Sequence, residues 1–67
     1  MDNQQIGKNA GLICYILDSF QEMTVNELCV ASELTIEDFY LALGWLAREN
    51  KISFYDKNFL KWICLIY

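Results

Sequence analysis

A mostly helical α+β fold, three helices followed by a β-hairpin, is predicted by three observations. Apolar residues recur at helical spacing from Ile6 to Leu46. Two helix-start signals, Thr24 with Glu27 and Thr35 with Glu37 and Asp38, divide that stretch. After Asn50 the pattern changes to runs of β-branched and aromatic residues. The chain has 67 residues and is read as a single domain over residues 1–67.

The first helix is expected over about Gln5 to Phe20. Ile6, Ala10, Ile13, Leu17 and Phe20 recur at spacings of three and four and mark its inner stripe, which Ile16 widens. Leu12 and Tyr15 lie off that stripe. Gly11 weakens the helix by roughly 1 kcal/mol relative to alanine. "QEM" reads as a short connection. Thr24 and Glu27 then form a capping box that starts a short second helix, Val25 to Ser32. This helix turns Val25, Leu28 and Cys29 inward, with Met23 placed as a hydrophobic staple on Leu28.

"ELT" makes the next turn, and Thr35 caps the third helix. Glu37 and Asp38 in its first turn suit the helix dipole. Ile36, Phe39, Leu43 and Leu46 give its core stripe, with Ala42 beside them, and Asn50 is placed as a left-handed cap. "KISFYD" and "FLKWICLIY" read as two strands joined at Asp56 to Asn58. In the second strand Leu60, Trp62, Cys64 and Ile66 share one face, and Lys61, Ile63, Leu65 and Tyr67 share the other. Three helices and a hairpin in this order and length are the layout of a winged helix-turn-helix domain. The helix-turn-helix spans Thr24 to Arg48 and the wing Lys51 to Tyr67.

A chain this short buries only about 60% of the surface its unfolded form exposes, so it needs a disulfide framework, a metal or a partner. Its three cysteines, Cys14, Cys29 and Cys64, are odd in number and form no C-x-x-C pair, which argues against disulfides and for a reducing cytoplasm. There is no histidine, and three scattered thiols do not make a zinc site, so neither a metal nor a cofactor is expected. Residues of the AVILMFWYC set nevertheless make up 55% of the chain, more than a small globule can hide. No apolar run approaches the ~20 residues of a membrane span, and "MDNQQ" does not suit a signal peptide. The surplus apolar surface is therefore expected to face protein.

The charge distribution bears on nucleic acid. The net charge is −4, and from Asn9 to Ala47 there is no Lys or Arg. That interval carries Asp18, Glu22, Glu27, Glu33, Glu37 and Asp38. Phosphate affinity comes largely from Lys and Arg, and a recognition helix usually leads with its N-terminal turn. Here that turn holds Glu37 and Asp38. The candidate nucleic-acid contacts are Arg48, Lys51, Lys57 and Lys61, all on or beside the wing, where they also serve as solvated charges guarding strand edges. DNA is disfavoured by charge.

The outer face of the third helix carries Tyr40, Leu41, Gly44 and Trp45 in place of basic residues. Singly, Trp45 can fold onto the hairpin and Tyr40 onto the first helix. Together with Phe39, Leu43 and Leu46 they would make the helix apolar nearly all round, which requires cover on both sides. These four residues are the candidate partner interface, with a homodimer as the leading assembly and an unidentified protein partner as the further option.

The string "LTIEDFYLALGWLARENKISF" also resembles a family of short stand-alone bacterial winged helix-turn-helix proteins of unknown function. Two motifs carry the resemblance. One is Ile6-Gly7-Lys8-Asn9-Ala10-Gly11. The other runs from Leu41 to Ile52 as "LALGWLARE", then Asn50 at a free position, then "KI". The match covers nearly the whole chain. It implies a winged-helix fold and homodimers, and it brings no catalytic residue and no ligand. An enzyme is not expected. Nothing resembles a nucleophile beside a base or a phosphate-cradling loop. The function expected is a non-enzymatic interaction and homodimerisation module, with a DNA-binding transcriptional regulator using the wing as the alternative.

Overall fold

The structure is a computed structural model and describes residues 2–67. Helix α1 spans Asn3–Phe20, strand β1 Glu22–Thr24, helix α2 Val25–Ser32, helix α3 Ile36–Arg48, strand β2 Ile52–Lys57 and strand β3 Leu60–Leu65. The three strands form an antiparallel sheet in the order β1-β3-β2.

Helix α1 begins earlier than its apolar stripe suggests, because Asp2 is an N-cap: its carboxylate accepts from the Gln5 amide at 2.8 Å. Its buried side is Asn9, Ala10, Ile13 and Leu17. Phe20, expected on that side, is 62% exposed because the helix ends there and the chain turns away at Gln21, whose φ is 71°. Helix α2 has the expected capping box. Thr24 accepts from the Glu27 amide, and the Glu27 carboxylate accepts from the Thr24 amide at 2.9 Å. Met23 and Leu28 both enter the core cluster. Thr35 caps α3 by accepting from the Asp38 amide at 3.1 Å. Phe39, Ala42, Leu43 and Leu46 form the buried side of α3, whereas Ile36 is 69% exposed. Ile36 opens the helix, ahead of the point where the other helices cover it. Asn50 is left-handed, as expected, at a φ of 57°.

The segment "QEM" is more than a connection. Glu22 and Met23 start β1, which pairs with β3 in the register Glu22 to Cys64, Met23 to Ile63 and Thr24 to Trp62. The wing is thus joined edge-on to the helix-turn-helix, and β3 is a central strand. This placement explains its two apolar faces. Ile63, flanked by Met23 on one side and Phe54 on the other, is fully buried, and Leu65 packs beside it against the helices. The opposite face carries Trp62 and Cys64, both half-buried.

The hairpin turn is tighter than Asp56 to Asn58. Lys57 pairs with Leu60, so the loop is Asn58 and Phe59, both left-handed with φ of 55° and 65°. A two-residue loop with positive φ at both positions matches the right-handed twist of the strands and normally ends in glycine. Phe59 holds that conformation with its side chain fully in solvent. A non-glycine residue there costs roughly 1–2 kcal/mol. Replacing it relieves the strain but loosens the unfolded chain, so Phe59→Gly should stabilise the fold by up to about 1 kcal/mol, a Tm rise on the order of 4 °C by thermal denaturation.

Candidate protein-interaction surface

The outward side of α3 and the inner edge of the wing enclose a groove of about 720 Å³. Tyr40, Leu43, Gly44 and Ala47 form the helical wall, Phe54 and Leu60 the wing wall, and Val25 closes the end at α2. Thr24, Asn26 and Lys61 are its polar members. The groove exists because α3 faces the core with Phe39, Ala42 and Leu46 and meets the sheet only at its base. Farther out the twisted hairpin projects past the helices. Phe54 shows the consequence. It has the parity of buried Ile52, yet it is 42% exposed because no helix reaches that far along the sheet.

Of the four candidate interface residues, Tyr40 and Gly44 line this groove, and Leu41 and Trp45 continue the same exposed arc around α3. Tyr40 is 52% exposed, Leu41 51% and Trp45 41%. Neither aromatic folds into the core. Tyr40 only touches the edge of Phe39, with ring centroids 5.2 Å apart and planes at 75°. Val25, Ala47, Phe54 and Leu60 are groove residues that the sequence does not assign to a partner surface; it turns Val25 inward and places Leu60 on a strand face. The parity shared by Ile52 and Phe54 was the available signal for the wing wall.

Gly44 is in ordinary helical conformation, and a Cβ built on it would meet no atom within 4 Å. Nothing inside the chain requires a glycine there, although glycine in a helix interior costs roughly 1 kcal/mol relative to alanine.

The basic candidates are divided. Lys57 is ion-paired with Glu22 and lies 4.2 Å from the centroid of the Trp62 ring, while the Trp62 indole N–H donates to the Lys57 carbonyl at 3.1 Å. Lys61 is paired with Asp56 at 2.9 Å. Arg48 and Lys51 are exposed and have no acidic partner among the described residues. Glu37 is exposed and Asp38 half-buried in the first turn of α3, where the helix dipole favours them.

Glu22 also accepts from the Tyr55 hydroxyl, so one carboxylate ties β1 to both Tyr55 and Lys57 across the central strand. Hydrogen bonds from Lys57 and Tyr55 hold the Glu22 carboxyl below its usual range. The same bond to Glu22 pushes Tyr55 up to about 12. The Tyr67 hydroxyl donates to Asp18 at 2.7 Å, which pins the end of the sheet to α1 and raises that phenol as well. The three thiols are free and half-buried, and burial pushes Cys14 up despite the nearby Lys51 charge. Among the described residues no three His, Cys, Asp or Glu side chains gather as a metal site. No helix among them is long and apolar enough to cross a membrane.

The sequence matches the family model described as "Winged helix-turn-helix domain (DUF2582)" over residues 1–65. The chain belongs to this DUF2582 winged helix-turn-helix family. Its fold is similar to the solution NMR structure of protein BT2368 from Bacteroides thetaiotaomicron, with a TM-score of 0.82 and 38% sequence identity. That match covers 97% of this chain and 79% of the other. No curated protein matches the sequence. Within the DUF2582 fold, the groove lies where a winged helix offers its third helix and wing, but its walls are apolar and its helix leads with acid.

The Glu22 cluster gives a defined pH response. The lowered Glu22 value means its contacts stabilise the fold at every pH above the ordinary carboxylate range of about 4.3, and they are lost as acid carries it through the lowered value. The raised Tyr55 value works at the other end. Its stabilisation is complete below about 10 and is lost as pH rises toward about 12. A phenolate absorbance titration should therefore show a tyrosine titrating at about 12 that disappears in Tyr55→Phe and moves down in Glu22→Gln.

Proposed function

We propose that this protein is a non-enzymatic winged-helix interaction module that self-associates through the outer face of α3. The carrying observation is Gly44. It sits in a helix interior at a cost, no atom of its own chain fills the space beside it, and Tyr40, Leu41 and Trp45 stand exposed around it. Large rigid aromatics next to a site of close backbone approach are the usual anchors of a protein interface. The 67-residue chain leaves this much apolar helix uncovered, and a second copy is the simplest cover. Half-exposed thiols suit a reducing compartment such as the cytoplasm.

A wing-led DNA-binding regulator is the second reading. It is favoured by Arg48 and Lys51, which are exposed and unpaired among the described residues beside the groove. Lys57 and Lys61 favour it less, because each is already neutralised by a carboxylate of its own sheet.

Two variants at one position separate a fold effect from an interface effect. Gly44→Ala should raise monomer stability by roughly 1 kcal/mol, since the added methyl meets nothing. Gly44→Arg should leave the monomer folded but shift sedimentation from dimer to monomer. A wild-type protein that sediments as a monomer would remove the self-association reading. In a mobility-shift titration with mixed-sequence duplex, no binding is expected even at low salt. Binding that weakens steeply as salt rises would establish the DNA reading instead.

A further inference from the structure

We propose that the second copy lies antiparallel on α3, about a two-fold axis at the height midway between Ala42 and Leu43, so that Glu37 faces the partner's Arg48 and Leu41 faces the partner's Gly44. This rests on the self-association reading above and adds the register to it.

The register follows from where the exposed residues fall along the helix. Glu37 and Arg48 both lie on the solvent side of α3, one in the first turn and one in the last, and neither has an oppositely charged partner among the described residues. They are three helical turns apart, which brings them within about 20° of the same direction around the axis and separates them by about 16 Å. Leu41 and Gly44 lie between them on the same stripe and share their midpoint. Tyr40 and Trp45 share it too, set to opposite sides of the stripe.

A perpendicular two-fold through that midpoint exchanges the members of each pair. The acidic end of one helix then meets the basic end of the other, twice per dimer. Leu41, 51% exposed in the isolated chain, comes to the height of the partner's Gly44, where the missing Cβ leaves room for it. Removing that Cβ also lets the helix axes approach to the lower end of the usual packing distance, about 8 Å. Tyr40, on the groove side, stands beside the partner's Tyr40. Trp45, on the far side, stands beside the partner's Trp45. A parallel pairing would oppose Glu37 to Glu37 and Arg48 to Arg48. An antiparallel pairing slid by one turn would bring Gly44 level with Glu37 or with Trp45 and would part Arg48 from Glu37. One arrangement satisfies charge and shape together, and it is self-complementary, as a two-fold interface must be.

Helix-dipole preference by itself also places acid at the start of a helix and base at its end. That effect acts inside one chain, so mixing separates the two causes. Glu37→Arg alone sets the introduced guanidinium against the partner's Arg48 at both contacts, and Arg48→Glu alone opposes two carboxylates. By analytical ultracentrifugation each single variant should dimerise about ten-fold more weakly than wild type, from two exposed charge pairs reversed per dimer. An equimolar mixture of the two variants should recover dimer to within about three-fold of wild type. In the heterodimer both contacts join a guanidinium of the Glu37→Arg chain to a carboxylate of the Arg48→Glu chain, so recovery requires the mixed species. Far-UV circular dichroism on each variant checks that α3 is formed.

A wild-type monomer overturns both the register and the self-association reading. A wild-type dimer that both variants leave unchanged, or that both weaken without recovery on mixing, overturns the register alone.

Discussion

The organising constraint in this molecule is that α3 is apolar around most of its circumference while the chain can cover only one side of it. Phe39, Ala42, Leu43 and Leu46 face α1 and the sheet and are essentially dry. Tyr40, Leu41 and Trp45 face away, at 41–52% exposure, and no element among the described residues covers them. In a winged helix that reads DNA, the outward side would hold polar and basic groups able to neutralise phosphate. Here the outward side has aromatics at the flanks, a glycine in the middle and opposite charges at the ends, the features on which the proposed helix pair rests.

The sheet keeps this surface in place. Strand β1 lies directly before α2, and by pairing with β3 it fixes the wing to the helix-turn-helix through backbone hydrogen bonds. Glu22 then reaches across to Tyr55 and Lys57, while Tyr67 holds α1 through Asp18. These contacts are exposed, so each contributes little alone. Their effect is geometric. They tie the hairpin to β1 on one side and the chain end to α1 on the other. They also occupy Lys57, leaving the tip of the wing with less free positive charge than its sequence suggests.

Much of this was legible in the sequence because local signals agreed with the tertiary structure. The Thr24 and Thr35 caps, the left-handed Asn50 and the change of period after it all acted through short-range physics. The features that were not legible depend on distant neighbours. Three residues cannot announce a strand, and β1 is defined only by its pairing with β3, with Met23 beside Ile63. Phe20 and Ile36 satisfy the helical period but sit at helix ends, where period no longer implies cover. The groove was half-readable. Its helical wall could be derived from the face opposite Phe39, whereas Phe54 and Leu60 belong to it only because the hairpin twists out beyond the helices.

Isotope-filtered NMR on a mixture of labelled and unlabelled chains tests the proposed helix pair most directly, because it reports only contacts between copies. Intermolecular cross-peaks are expected from the Tyr40, Leu41 and Trp45 side chains to α3 of the other chain, with Leu41 close to the Gly44 α-protons. Intermolecular contacts confined to another face, such as the α1 surface around Tyr15, would contradict self-association through α3, as would a spectrum with none.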